Sequence, residues 1–458
     1  MKKNAALRAI PAVEKVLRAL GSGSGLPRPV LTALVRQELS GLRRAKAVPD
    51  FETVVARIRA SAETLRRSRI QPVINGTGIL VHTNLGRAPL GPSVEASLRS
   101  IATSYNNLEY DLTTGGRGNR ASYLENNLAI LCGAEATTVV NNCAAAYVLI
   151  LRHLTSVDRP EVIISRGELP QIGGAFRIPE ILEAAGATLR EVGTTNKTTL
   201  QDYAKAISPR TALILKVHQS NFFIGGFVAS PEIHEVAALA KKKRIPFVQS
   251  IGSGALVDTS AFEGVEHEPT PQEMLKRGPD LVCFSGDKLM GGPQAGIIAG
   301  RRRMIRALKN EPLFRALRCD KLILAALQTT VDAYLSVQSK EIGSEIPLLG
   351  MFGVSNDELR DRAEKIMAAL GGQPVTIRPG KGKAKAGGGS LPQSVIVSTT
   401  LDMQPRELTL ADLAERLRHG SPPVIGYISG GVFKIDLRTV FPRQDDDLVK
   451  ALSAGLMP

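Results

Sequence analysis

Apolar residues recur at helical spacing near the start of the chain. Leu7, Ile10, Val13, Val16, Leu17 and Leu20 mark one helix face within residues 5–20, and the GSGSG run at 21–25 ends it. A second helix is predicted over 29–42. A third spans 51–65, where Val54, Val55, Ile58, Ala62 and Leu65 share one side and Arg57, Arg59, Arg66, Arg67 and Arg69 lie mostly elsewhere. Further on the pattern changes. Short runs rich in aliphatic residues at 137–140, 162–165, 188–192, 212–217 and 246–249 alternate with helical periodicities that end near 153 and recur at 178–185, 200–207 and 231–242. Repeated βα units of this length predict a mostly parallel sheet with ligands at the carboxyl ends of its strands.

Two more apolar runs, 281–283 and 297–299, flank FSGDKLMGGPQAG at 284–296, which reads as strand, lysine-bearing turn, glycine-rich hairpin and strand. A long helix over 325–337 leads to a last segment with strands at 395–397 and 432–435 and a helix at 408–418. Within it, PGKGKAKAGGGSLP at 379–392 reads as a flexible basic loop. Composition shifts near Pro72, where VINGTGILVHTNLGRAPL at 73–90 begins. The expected division is therefore a helical domain over 1–70, a large α/β domain over 71–325 and a smaller α+β domain over 326–458. Residues 105–120 form a polar, glycine-containing loop too long for a simple connection, of the kind that serves function or an interface.

Polar clusters close four of the strands: Ser165 to Glu168, His218 to Asn221, Ser250 to Gly254, and Ser285 to Lys288. A lysine at the mouth of a buried strand loses solvation, which pushes its amine toward the neutral, nucleophilic form that a Schiff base requires. Lys288 is the candidate cofactor anchor. Ser285 and the Gly286 amide are within reach of a phosphate, and Gly291, Gly292 and Gly296 permit close backbone approach. A second phosphate signal lies where the strand at 137–140 feeds a helix through Asn142, Cys143 and Ala144, since a helix start aims free amides and its dipole at one point. Arg87 sits in a loop where an anion or a neighbouring subunit could be met. Arg315 and Arg318, at i and i+3 after Pro312, are expected on one side of a helix, suited to an oxyanion.

The net charge of +15 matters through its distribution. Residues 1–70 hold fifteen Lys or Arg against five Asp or Glu, which marks a polyanion-binding segment, with a solvated basic bundle as the alternative. Cys132, Cys143, Cys283 and Cys319 lack the spacing of a zinc or redox site, so no metal and no disulfide framework is expected. The absence of an eighteen-residue apolar run and of a signal-peptide pattern predicts no membrane span and a cytoplasmic protein.

Several stretches together resemble the bacterial selenocysteine synthase family, the L-seryl-tRNA(Sec) selenium transferases. They are INGTGILVHTNLGRAPL (74–90), ISRGELPQIGGAFRIPEI (164–181), EVGTTNKT (191–198), KVHQSNFFIGGF (216–227), FSGDKLMGGPQAG (284–296), residues 315–321 and GGGSLP (387–392). The resemblance implies an aspartate-aminotransferase-like fold, fold type I of the pyridoxal phosphate enzymes, with an N-terminal helical domain that docks on tRNA(Sec). It implies that Lys288 bonds the cofactor beside the acid Asp287, and that Arg87, Arg315 and Arg318 hold the oxyanion of selenophosphate. The implied reaction dehydrates seryl-tRNA(Sec) to an aminoacrylyl intermediate and adds selenium, in a homodecameric ring of dimers. Cofactor contacts would then fall to Asn142, Cys143, Ala144 and Ser285 at the phosphate and Asn221 near the ring oxygen, with Arg166 or Glu168 over the ring face. Ser250 departs from the family, which usually carries an acid there to pair with the pyridine nitrogen. Two other readings stay open: a lyase paralogue acting on a small amino acid or sugar acid, and a catalytically silent RNA-binding homologue.

Overall fold

The computed structural model describes residues 10–21, 23, 25–43, 48–171, 177–336 and 342–457. At the N-terminus the helices Val13–Leu20, Arg28–Leu42 and Phe51–Arg67 close around Val16, Val35, Leu39, Leu42, Val54 and Ile58. The expected first helix therefore exists from Val13 onward, and residues 5–9 lie outside the described residues. The third helix starts where it does because the Asp50 side chain accepts the Thr53 N–H at 2.8 Å, satisfying one of the amides a helix start leaves open.

Strands β1 (Ile74–Asn75) and β2 (Ile79–Val81) follow, then the small hairpin of β3 (Tyr110–Asp111) and β4 (Gly116–Arg117). The central sheet is built from β5 (Ala136–Val140), β6 (Glu161–Ser165), β7 (Thr188–Val192), β8 (Thr211–Val217), β9 (Phe247–Gly252), β10 (Leu281–Ser285) and β11 (Gly296–Gly300). Its order is β5-β11-β10-β9-β8-β6-β7. Only β11 runs antiparallel to its neighbours, β10 and β5. Strands β8, β10 and β11 are buried throughout, which explains why they read as unbroken apolar runs rather than alternating ones. The helix Cys143–Leu154 packs on one face with Ala145, Leu149 and Ile150. On the other face, Tyr203, Val236 and Ala240 from two later helices cover Ile163, Ile214 and Phe247.

The C-terminal sheet contains β12 (Val375–Gly387), β13 (Ile396–Pro405), β15 (Tyr427–Ser429) and β16 (Val432–Asp436), in the order β15-β16-β13-β12-β2, while β14 (Val424–Ile425) pairs with β1. Two expectations are corrected here. The stretch read as a flexible basic loop is β12 over most of its length, paired with β13 from Val375 to Ala384. The chain at 74–81, assigned to the large domain over 71–325, hydrogen-bonds instead to the C-terminal strands, β1 to β14 and β2 to β12. The long helix expected over 325–337 begins earlier, at Lys321, and is described to Ser336. No described helix is long and apolar enough to cross a membrane.

Charge on the N-terminal helices is partly tied up. Glu63 accepts from Arg66 at 2.6 Å and from Arg67 at 2.7 Å, and these hydrogen bonds hold its carboxyl down at about 2, against an ordinary value of 4.5. A depressed folded-state value contributes stability above the unfolded value and loses it as pH falls through the folded one. Amide hydrogen exchange in the helix Phe51–Arg67 is therefore expected to accelerate as pH is lowered from about 4.5 toward about 2, beyond the intrinsic pH dependence. Glu63→Gln should remove most of that change. Identical acid profiles for the two proteins would refute the assignment.

Candidate active site

The carboxyl ends of β8, β9 and β10 converge with the start of the helix Cys143–Leu154. Asn142 caps this helix, its side chain accepting the Ala145 N–H at 2.8 Å, so the Cys143 and Ala144 amides lie outside that cap bond. Gly296 pairs with Ser285 across β11 and β10, and a Cβ at Gly296 would collide with the Asn142 carbonyl oxygen. Only a glycine lets the helix start come this close to the Ser285 strand end. Asn142, Cys143, Ala144 and Ser285 are thus brought together. The Cys143 thiol adjoins Cys283, Lys288, Ser250 and Ser285, and a hydrogen bond from Cys283, with help from the Lys288 charge, pulls it below the usual thiol range. Cys283 is pushed up by the same contact and by burial.

Lys288 follows β10 in a turn whose backbone is pinned by Gly286 N–H to Ala295 O at 2.9 Å and Leu289 N–H to Ser253 O at 2.9 Å. Burial holds its ammonium below the ordinary lysine range; Arg87 adds to that shift, while Cys143, Asp287 and Glu268 oppose it. The neighbouring Asp287 is buried, and its Oδ2 lies 2.7 Å from Arg87 Nη1. Arg87 reaches it from a left-handed backbone position, φ 66°, in a tight turn bridged to His82. An ion pair between residues so far apart in sequence left no local signal.

Arg315 and Arg318 do not share a helix face as expected. The helix Phe314–Leu317 is a single turn, and Arg318 ends it in extended geometry, 3.4 Å from Glu109 on the loop at 105–120. Arg315 is exposed. Asn221 donates to the Gln171 carbonyl at 2.9 Å. The two residues expected over a ring face are engaged elsewhere: Arg166 pairs with Glu191 at 2.9 Å, and Glu168 is buried against Lys216 at 2.5 Å and the Val217 N–H at 3.0 Å. Lys216 belongs to the buried strand TALILKV, so a lone lysine in an apolar run was the available sign of a buried pair. Beside it His218 Nε2 stands 3.2 Å from the buried Glu268 carboxylate.

These features fit pyridoxal phosphate. A helix start and Ser285 offer phosphate donors, a desolvated lysine offers the amine, and the buried Ser250 hydroxyl makes no hydrogen bond of good geometry among the described residues. A mostly parallel sheet of this order, with a lysine turn entering its one antiparallel strand, defines a pyridoxal phosphate enzyme of the aspartate-aminotransferase-like fold, fold type I.

The solved structure of D-glucosaminate-6-phosphate ammonia-lyase superposes with a TM-score of 0.59, at 19% identity, over 84% of this chain and 96% of that one, a likeness of fold. The family model for L-seryl-tRNA selenium transferase (SelA) matches residues 73–441. An L-seryl-tRNA(Sec) selenium transferase of Carboxydothermus hydrogenoformans is 43% identical over 463 residues, covering 98% of each chain. That of Geobacter metallireducens is 45% identical over 457 residues, covering 96% of each. The chain belongs to the L-seryl-tRNA selenium transferase family.

Removing Arg87 would leave the buried Asp287 carboxylate unpaired beside Lys288. The lysine ammonium is then the nearest compensating charge, so its pKa should rise. In Arg87→Ala the rate at which the apoprotein takes up pyridoxal phosphate should reach its plateau at higher pH than in wild type, because the neutral amine is the reacting form. Superimposable pH profiles would show that Arg87 does not govern the lysine.

Proposed function

We propose that this protein converts L-seryl-tRNA(Sec) to selenocysteinyl-tRNA(Sec), with selenophosphate as selenium donor. The observation that carries the reading is near-full-length similarity to proteins of that name combined with a desolvated Lys288 beside Asp287. Pyridoxal phosphate at this site supplies an electron sink for the charge released at the serine Cα. Lys288 carries the cofactor, takes the Cα proton as a neutral amine and returns it once the new bond at Cβ has formed. The β-hydroxyl departs as water with a proton from the donor's Se–H, the selenium bonds to Cβ in its place, and water cleaves the Se–P bond to release phosphate. Asp287, held by Arg87, keeps the lysine's surroundings polar without leaving an unbalanced charge. Arg87, Arg315 and Arg318 bind the donor's oxyanion, and the Cys143 and Ala144 amides with Ser285 hold the cofactor phosphate.

Residues 1–70 are the RNA-binding segment in this proposal. Their three helices have an apolar core of their own, Arg57 and Arg59 are exposed on the third, and Arg69 is exposed just beyond it. The similarity reaches beyond the catalytic region into these residues, since 98% of the chain is covered, and this favours a tRNA substrate over a small amino acid. A cytoplasmic location and assembly as a ring of dimers, a decamer, belong to the same proposal and rest on the family resemblance.

Purified protein loaded with pyridoxal phosphate should form selenocysteinyl-tRNA(Sec) from seryl-tRNA(Sec) and selenophosphate. Lys288→Ala should lose both this activity and the borohydride-reducible link between chain and cofactor. Failure of the wild type on seryl-tRNA(Sec), with the link intact, would sink the substrate assignment.

Deleting residues 1–70 tests the RNA-binding segment separately. With on the order of six phosphate contacts, affinity for tRNA should fall about 10³-fold between about 50 and about 200 mM salt in the full chain, and far less steeply in the truncated one. Equal slopes would assign the basic helices to solvation alone.

A further inference from the structure

Ser250 lies near the carboxyl end of β9, in register with Cys283 on β10 and Val217 on β8. It is 1% exposed, and its hydroxyl, though close to the Cys143 and Cys283 thiols and the Tyr147 phenol, makes no hydrogen bond of good geometry to any described residue. A buried hydroxyl left unpaired is costly, so an atom in this state at a ligand site marks a contact that the ligand completes.

The alternation of β9 decides which way it faces. Val248, two residues earlier, belongs to the core cluster that includes Ala145 and Ala146 of the helix Cys143–Leu154, whereas Phe247 belongs to the cluster on the opposite face. Ser250 therefore points to the helix side, where Cys143 and Tyr147 adjoin it. Gln249 points the other way, into a cavity of about 450 Å³ shared with Glu168, Lys216, His218 and Glu268.

The carboxylates at these strand ends each have a basic partner, although Asp287 Oδ1 has no hydrogen-bond partner among the described residues. Asp287 is bound to Arg87, Glu168 to Lys216, and Glu268 faces His218, the last two lining the cavity on the far side of the sheet. The polar atom that β9 itself presents on the helix side is an uncharged hydroxyl. Pyridoxal phosphate carries one ring atom that needs such a partner, its pyridine nitrogen. A carboxylate there keeps the nitrogen protonated and the ring a strong electron sink, whereas a hydroxyl donates to the nitrogen's lone pair and brings no charge to hold a proton on it.

We propose that Ser250 donates a hydrogen bond to the pyridine nitrogen of the bound cofactor, leaves that nitrogen unprotonated and so confines the chemistry to Cβ. The inference rests on the replacement reaction proposed above. Negative charge at Cα is discharged when the Cβ–O bond breaks and its electrons leave with the hydroxyl, a route that needs only a modest sink. The competing outcome, transamination to pyridoxamine phosphate and a keto acid ester, would need a stronger electron sink and would be disfavoured by an unprotonated nitrogen. Ser250 is in this sense a specificity-determining residue for reaction outcome.

The test uses resting holoenzyme loaded with ring-¹⁵N pyridoxal phosphate and read by solid-state ¹⁵N resonance, which responds to the nitrogen's protonation and hydrogen bonding without any turnover. Wild type and Ser250→Thr should both resonate as hydrogen-bonded, unprotonated pyridine. Ser250→Ala should stay unprotonated but shift away from them, and Ser250→Asp should move to the protonated range. During turnover of seryl-tRNA(Sec), Ser250→Asp should release about tenfold more pyridoxamine phosphate per product than wild type. A protonated wild type, coincident wild-type and Ser250→Ala signals, or an unprotonated Ser250→Asp overturns the assignment of the nitrogen's partner. Unchanged pyridoxamine phosphate release in Ser250→Asp overturns the control of outcome. If the wild type resonates as expected yet does not convert seryl-tRNA(Sec), the substrate reading falls, and control of outcome with it, while the nitrogen's partner stands.

Discussion

A lysine amine must be neutral to act as a nucleophile or base, yet the residue before Lys288 is a carboxylate. Left alone, Asp287 would favour the ammonium. The 2.7 Å ion pair from Arg87 resolves the conflict by giving the carboxylate a cation of its own, so that desolvation decides the state of the lysine. Much of the surrounding architecture serves that pair. Strand β2 is an edge of the C-terminal sheet, and the chain leaving it turns through His82 to Arg87 before entering the catalytic end of the central sheet. The lysine is therefore tuned by a residue whose position is set by a different sheet.

This dependence also explains why the C-terminal strands must pack so closely. Strand β12 alternates lysine outward with glycine or alanine inward from Lys381 to Ala386. A Cβ at Gly380 would run into the carboxylate of Asp402 on β13, and one at Gly382 into that of Asp436 on β16. Small residues there let β12 lie against those acids while still offering its other edge to β2, which it pairs in parallel through Lys385 and Gly387. The turn carrying Arg87 is thus registered by a strand whose composition looks like a linker.

That strand marks a limit of what could be read from the chain. Central strands β6, β8 and β10 were legible because burial on both faces writes them as aliphatic runs, and the polar residues that end them pointed to the site. In KGKAKAG the period-2 signal was present, but as charge against small size rather than polar against apolar, and its low complexity masked it. Arg315 and Arg318 failed for another reason: i, i+3 spacing implies a shared face only if the helix continues, and this one stops after a single turn. The Arg87–Asp287 and Lys216–Glu168 pairs were beyond local reading because tertiary folding alone brings their partners together.

Charge handling differs between the two sides of the sheet at its carboxyl edge. On the side of the cavity, Lys216 and Glu168 are both buried and satisfied by each other, by Ser230 and by the Val217 amide, which is how two ions survive removal from water. On the side of the helix Cys143–Leu154, the Cys143 and Cys283 thiols, the Ser250 and Ser285 hydroxyls and the Tyr147 phenol lie together, the Lys288 charge is felt at Cys143, and burial drives that phenol's pKa upward. Concentrating compensated ions on one face leaves the other weakly screened and of low polarity, so a charge that develops there is felt strongly by the few groups aimed at it. A neutral partner such as Ser250 then matters more than it would in a solvated pocket, because water does not compete for the hydrogen bond it offers.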